Sequence, residues 1–148
     1  MFTIIFPVLN ERLRLESGVT RTVEYLRKIA FEDYEIIIVD NGSEDETPQI
    51  AEMLCQKYEK VRYERINVRG VGAAFRRGVE LSHGDVVGYM DIDLSTNIKH
   101  LGEAIHLFET QSQIEYINGS RFARESDTKG RNCLLYTSPS PRDKRQSR

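Results

Sequence analysis

The stretch YEIIIVDNGSEDETPQI, residues 34–50, decides the fold. Ile36, Ile37, Ile38 and Val39 form an unbroken β-branched run. A strand with polar residues on alternate positions has one wet face; a strand without them is covered on both faces, as in a parallel sheet. The run stops at Asp40-Asn41-Gly42-Ser43, a turn composition. Thr47-Pro48 then reads as a helix start, with Thr47 able to cap and Pro48 suited to the first helical position. Ile50, Met53, Leu54 and Tyr58 follow at helical spacing. Strand, acidic turn and helix thus succeed one another within about 25 residues, the rhythm of a βαβ fold.

The same rhythm extends both ways. Thr3–Val8 is an apolar run with Pro7 near its exit, stopped by Asn10 and Glu11, and predicts a first buried strand. Leu15, Val19, Val23, Leu26 and Ile29 share one face of a helix running to Ala30. Val61–Ile66 is a more polar third strand, placed nearer a sheet edge. Gly70, Gly72 and Gly78 bracket a short helix with Ala73, Ala74 and Phe75. Val86–Met90 is a fourth strand, ending at Asp91-Ile92-Asp93. Asn97 can cap a helix carrying Ile98, Leu101, Ile105 and Phe108, and Glu115–Asn118 reads as a fifth strand running into Gly119-Ser120-Arg121. The expected architecture is α/β, a mostly parallel open sheet flanked by helices. Strands one, two and four are expected side by side, with Asp40, Asp91 and Asp93 opening on one rim.

A chain of 148 residues holds one domain with a sizeable core. The net charge of −2 gives no reason to expect nucleic-acid binding. Cys55 and Cys133 are too few and too far apart for a zinc site or a disulfide framework, and Cys55 fits a buried thiol. No run of 18 apolar residues is long enough to span a bilayer, and MFTIIFPVLNE has neither the basic segment nor the cleavage site of a signal peptide. Residues 133–148 differ from the rest. Arg142, Lys144, Arg145 and Arg148 against Asp143 give them +3 and leave −5 elsewhere. They lack apolar periodicity, so disorder is expected from 133 onward, with 1–132 as the folded part. The tail around LLYTSPSPRD also resembles an adaptor-derived translation at the ends of truncated environmental sequences. On that reading the natural chain continues differently from about Cys133, and the fold is incomplete at its C-terminus.

In open α/β sheets ligands bind beyond the carboxyl ends of the strands, at a switch in strand order. Those ends carry Asn10 and Glu11, Asp40, Asp91 and Asp93, and Arg121. Carboxylates gathered on one rim repel one another, and a hard divalent cation bridging them to a nucleotide diphosphate would relieve the repulsion. Residues two apart in an extended segment share a side, so Asp91 and Asp93 can face the cleft while Ile92 enters the core. Asp40 can either accept hydrogen bonds from a base or cap its own turn. Asp45 reads as a helix-start residue rather than a ligand. Arg69-Gly70-Val71-Gly72 suits a phosphate-facing loop at a helix start, without the form of a P-loop. One of Arg76 and Arg77 is expected to face the cleft and the other the solvent. His83, His100 and His106 form no ligand set.

Taken together, FPVLNE (6–11), EIIIVDNGSEDET (35–47), RGVGAAFRRG (69–78), GDVVGYMDIDLST (84–96) and NGSR (118–121) resemble the inverting family-2 glycosyltransferases of the GT-A fold. The likeness covers roughly residues 2–131 and is nearest to the dolichyl- or polyprenyl-phosphate hexose synthases, the dolichyl-phosphate glucosyltransferase-like branch above all. The resemblance implies a metal-dependent enzyme moving a hexose from UDP-glucose or GDP-mannose to a polyprenyl or dolichyl phosphate, on the cytoplasmic side of the plasma membrane or endoplasmic reticulum. It implies that Pro7, Asn10 and Glu11 line the nucleotide pocket and that Asp40 contacts the base beside Asn41, Gly42 and Ser43. Asn41 stands where the family often has a second Asp. Arg69 and Gly70 would border the nucleotide, Asp91 the ribose or diphosphate, and Asp93 would hold Mg²⁺ or Mn²⁺. Arg121, with Arg131 as a second candidate, would meet the acceptor phosphate.

The rival enzyme reading is a family-2 transferase with a glycan or lipid hydroxyl as acceptor, which needs a carboxylate base further along the chain. A nucleotidyltransferase would want a Gly/Lys-rich loop where PVLNE stands. A non-catalytic receiver-like module would want its acidic pair after strand one, whereas the clearest pair here follows strand four.

Overall fold

The computed structural model describes residues 1–119. The chain divides into two compact units, Met1–Ile114 and Glu115–Arg148. The first holds β1 (Phe2–Val8), α1 (Leu15–Lys28), β2 (Tyr34–Asp40), α2 (Thr47–Lys57), β3 (Val61–Arg65), α3 (Val71–Leu81), β4 (Val86–Tyr89) and α4 (Lys99–Thr110). The four strands form one sheet in the order β3-β2-β1-β4. All three pairings are parallel, with Val8 opposite Asp40, Asp40 opposite Arg65 and Ile5 opposite Tyr89. Strands one, two and four are therefore neighbours, as the sequence predicts.

Both faces of β1 and β2 are covered, which is why their runs are apolar without alternation. Phe2, Ile4, Phe6 and Val8 of β1, with Ile36 and Ile38 of β2, pack against Leu15, Val19, Val23 and Leu26 of α1, Ala51 and Leu54 of α2, and Ile105 of α4. Ile5, Ile37 and Val39 face the opposite way, onto Ala74 and Phe75 of α3. Each fully buried Ile or Val here contributes roughly 1.5–3 kcal/mol. The change of side between α2 and α3 accompanies a reversal in strand order. The chain moves outward from β1 to β3, then returns to place β4 on β1's other flank. The crevice at that switch lies between the carboxyl ends of β1 and β4.

The amino end of the sheet is fastened by a buried carboxylate. Glu35 is 7% exposed. It accepts hydrogen bonds from the Thr3 hydroxyl at 2.7 Å, the His83 backbone N–H at 2.6 Å and Arg62 Nη1 at 2.9 Å. These bonds tie the α3–β4 turn to the starts of β1, β2 and β3. Burial alone would raise the Glu35 pKa; the donors from His83, Thr3 and Arg62 outweigh it and bring the pKa below its usual value.

Four expectations need correction. α1 ends at Lys28, and Ala30 takes φ 54°, so Ile29 leaves the apolar face and is exposed. The helix after Gly70 is longer than its glycines suggest and contains both Gly72 and Gly78. Thr47 does not cap α2, because its hydroxyl is engaged elsewhere. Glu115–Asn118 forms no strand; Tyr116 is 79% exposed, without the cover that a strand of such residues needs. Asn97 stands one residue ahead of the cap position, which Ile98 occupies, and its Oδ1 still accepts the N–H of Lys99, the first residue of α4, at 3.1 Å. The boundary expected at 132/133, and Arg121, Arg131 and the tail, lie outside the described residues.

Candidate functional site

Two loops meet at the carboxyl ends of β1 and β2, and side chains 33–36 residues apart knit them together. The Asn10 N–H donates to Ser43 Oγ at 2.9 Å, and Asn10 Oδ1 accepts the Glu44 N–H at 2.8 Å. The Glu11 N–H donates to Thr47 Oγ1 at 2.8 Å, and the Arg12 N–H to Asp45 Oδ2 at 3.3 Å. Thr47, fully buried, is thus the fastener of the β1 loop. The helix-start duty falls to Asp45, whose Oδ1 accepts the Thr47 N–H at 3.0 Å, in keeping with the sequence reading. Burial would raise the Asp45 pKa, but the hydrogen bonds from Thr47 and Arg12 bring it down. Pro7 is half-buried at the exit of β1, and Asn10 is exposed with φ 55°. Glu11 pairs with Arg14 at 3.2 Å.

Asp40 has the second of its two alternatives: it caps its own turn. Oδ1 accepts the Ser43 N–H at 2.8 Å and the Ser43 hydroxyl at 2.6 Å; Oδ2 accepts the Tyr63 hydroxyl at 2.9 Å. The side chain is 0% exposed, so the carboxylate lies beneath the rim rather than opening on it. The reason is local. A carboxylate this buried needs donors, and Ser43 and Tyr63 supply three. Burial and the bond to Asp40 push the Tyr63 hydroxyl pKa up. Asn41 is 4% exposed and gives both its N–H and its Nδ2 to Val8 O, at 2.9 and 3.5 Å. Its Oδ1 has no partner among the described residues. Gly42 has φ 87°, and Arg65 donates to Ser43 O at 2.9 Å.

On the flank of β3, Gly70 takes φ 138°, a conformation that favours glycine, and its carbonyl accepts the Ala73 and Ala74 N–H groups that open α3. Arg69 reaches Glu44 at 3.0 Å in an exposed pair. Arg77 is held by Glu64 and Glu80, which leaves Arg76 as the solvated member of the two.

Beyond β4 the alternation predicted for Asp91-Ile92-Asp93 is observed. Ile92 is 4% exposed and belongs to the core, while Asp91 and Asp93 are exposed. Asp93 Oδ1 accepts the Ser95 N–H at 2.9 Å, and Leu94 has φ 49°. This turn lies directly on α1 at Gly18, where an added Cβ would come within 2.3 Å of Ile92 O. Gly18 therefore positions the acidic turn, a role the sequence reading missed. The available signal was a glycine inside an otherwise regular amphipathic helix, at a cost near 1 kcal/mol relative to alanine.

The expected gathering of carboxylates is not seen. Asp40 is buried, Glu11 is paired, and among the described residues no three of His, Cys, Asp and Glu form a metal cage. Asp93, exposed and with one oxygen accepting the Ser95 N–H, has the hard-oxygen chemistry that suits a divalent cation. His83 faces Glu35 and His100 pairs with Glu103, so neither joins the rim.

The model for glycosyl transferase family 2 matches residues 3–146. The chain belongs to that family. It is 39% identical over 101 residues to the dolichyl-phosphate beta-glucosyltransferase of Mus musculus, covering 64% of this chain and 31% of the relative. It is 32% identical over 122 residues to the dolichol-phosphate mannosyltransferase of Pyrococcus furiosus, covering 82% and 33%. The chain thus spans about a third of the length of these curated relatives. Among solved structures, the glucosyl-3-phosphoglycerate synthase of Mycobacterium tuberculosis, in complex with Mn²⁺, UDP and glucosyl-3-phosphoglycerate, superposes with a TM-score of 0.57 at 23% identity, over 74% of this chain and 40% of that one. The parallel sheet and its helices are those of the GT-A fold.

Proposed function

We propose that this family-2 chain forms the nucleotide-sugar-binding part of a glycosyltransferase that moves a hexose, with inversion, from UDP-glucose or GDP-mannose to a polyprenyl or dolichyl phosphate. The observation that carries the reading is the turn after β4, where a buried Ile92 holds two exposed carboxylates beside the crevice between β1 and β4. The names of the two relatives, both acting on dolichol-linked phosphate, support the acceptor class.

In this reading the knitted loops 7–11 and 40–47 shape one wall of the nucleotide pocket. Asn10 and Glu11 stand at its mouth, and Arg69 and Gly70 border it from the β3 side. Asp40 shapes the wall from below and does not itself touch the base. Asp91 faces the ribose or diphosphate, and Asp93 holds Mg²⁺ or Mn²⁺. When bound, the cation neutralises charge on the departing diphosphate. A phosphate oxygen of the acceptor forms the new bond to the sugar's anomeric carbon as the bond to the nucleoside diphosphate breaks. The acceptor is already an anion, so it needs positioning more than a base, and Arg121 suits that task through its two-pronged pairing with phosphate. Such an acceptor belongs to a membrane surface, and the proposal takes the cytoplasmic side as the site of transfer.

The test is titration of UDP-glucose and GDP-mannose into the chain with Mn²⁺, followed by transfer assays with dolichyl phosphate and with a sugar-hydroxyl acceptor in the same detergent. The proposal expects one donor to bind and label to move only to the lipid phosphate. Binding of neither donor, or transfer only to the hydroxyl acceptor, overturns it.

A further inference from the structure

Tyr63 stands on β3, the edge strand on the far side of β2 from β1, yet its hydroxyl begins a line of hydrogen bonds that ends in the loop after β1. Tyr63 donates to Asp40 Oδ2; Asp40 Oδ1 takes the Ser43 hydroxyl; Ser43 Oγ takes the Asn10 N–H; and Asn10 Oδ1 takes the Glu44 N–H. We infer that Tyr63 is a positioning residue that, through Asp40 and Ser43, sets the conformation of Asn10 and so the shape of the nucleotide-facing loop.

The direction of every bond follows from chemistry. A carboxylate only accepts, so the single Ser43 hydroxyl proton points at Asp40 and its lone pairs are left for Asn10. Asn10 sits at φ 55°, the left-handed region, which Asn enters more readily than other non-glycine residues because its short polar side chain hydrogen-bonds nearby. Its two loop bonds, to Ser43 Oγ and from the Glu44 N–H, are what hold it. Asp40 in turn is fixed at both ends, by Ser43 on one oxygen and by Tyr63 on the other. Without the phenol, Oδ2 loses its donor in a site with 0% exposure, and the carboxylate is free to turn in search of another. The Ser43 carbonyl remains held by Arg65, so the turn keeps its backbone and the disturbance travels along the side chains to Asn10. Tyr63 is legible as a half-buried strand aromatic and nothing more; only the distance of 23 residues bridged to Asp40 reveals the role.

The experiment is amide exchange by NMR on the full chain, comparing Tyr63→Phe with Tyr58→Phe. Tyr58 also donates a half-buried hydroxyl, to Thr20, and lies outside the line. The inference expects the Asn10 N–H to exchange about tenfold faster in Tyr63→Phe, relative to Ile36–Val39, and to be unchanged in Tyr58→Phe. Equal Asn10 exchange in the two variants overturns it. Should Tyr63→Phe fail to fold, Asp40→Asn keeps the shape and removes the charge shared by both ends of the line; unchanged Asn10 exchange there overturns the inference equally. A second readout rests on the function proposed above: with Mn²⁺ present, Tyr63→Phe weakens UDP or GDP binding while Tyr58→Phe does not. If the unaltered chain binds neither nucleotide, the functional proposal fails and the exchange at Asn10 still decides the role of Tyr63.

Discussion

Replacing Glu35 tests whether the buried carboxylate at the amino end of the sheet holds the α3–β4 unit in place. Glu35→Ala strands the Thr3 hydroxyl, which is fully buried, and the His83 N–H. A buried donor left without its acceptor costs about 1–3 kcal/mol, which is the Thr3 contribution; the His83 N–H belongs to an exposed residue, where water takes over part of its bond, and the total comes to roughly 2 kcal/mol. Arg62 adds little, because its side chain is 38% exposed and water takes over its hydrogen bond. Glu35→Gln keeps the shape and one acceptor oxygen and removes the charge, for a cost of about 1.5 kcal/mol. Urea denaturation of the full chain reads both, as a lower midpoint with an unchanged slope. The pH dependence gives the sign. The Glu35 pKa is lowered by folding from its usual 4.5. Its contribution is therefore fully present above that value and is lost as pH falls through the folded-state pKa. The gap between unaltered chain and Glu35→Gln should hold from pH 7 to about 5 and close in stronger acid. A gap that persists unchanged in acid, or a loss below about 1 kcal/mol for Glu35→Ala, would refute the reasoning.

Two further substitutions separate site geometry from general stability. Gly18→Ala should destabilise by about 1–3 kcal/mol even though alanine is the better helix former, because the new Cβ meets the backbone oxygen of Ile92; a thermal melt showing stabilisation would sink the close-packing argument. Thr47→Val preserves shape in a fully buried position and removes the acceptor of the Glu11 N–H, with an expected loss of about 1–2 kcal/mol and faster exchange at Glu11; slow exchange retained there would show that the fastener is elsewhere.

What the sequence revealed and what it concealed divide along a physical line. The β-branched runs at Ile4–Ile5 and Ile36–Val39 report burial on both faces locally, so strands, their parallel arrangement and the inward turn of Ile92 were all readable from neighbours in the chain. The polar residues were harder, because a carboxylate's role depends on which donors the fold brings to it. Asp40 could accept from a base or cap its own turn, and the donors that fixed the second role are Ser43 beside it and Tyr63, 23 residues away. Thr47 looked like a helix cap until Glu11, 36 residues away, claimed its hydroxyl. The rim consequently has fewer open carboxylates than the strand ends advertise: Asp40 is buried, while Asp91 and Asp93 are exposed. Glu115–Asn118 shows the converse limit: four residues with strand-like composition are too weak a signal when no partner strand lies among the described residues.

The central claim is that Asp93 supplies the protein's hold on a divalent cation, which in turn holds the nucleotide. Asp93→Asn nearly preserves size at an exposed position, so packing should be unaffected while the charge disappears. In catalysis the loss of such a charge-stabilising group commonly costs ~10²–10³ in rate. The most direct measurement needs no turnover: calorimetric titration of UDP and GDP, with and without Mn²⁺, into the unaltered chain and Asp93→Asn. The account predicts that Mn²⁺ tightens nucleotide binding by about tenfold or more in the unaltered chain and has no such effect on Asp93→Asn. An equal effect of Mn²⁺ on both would contradict it.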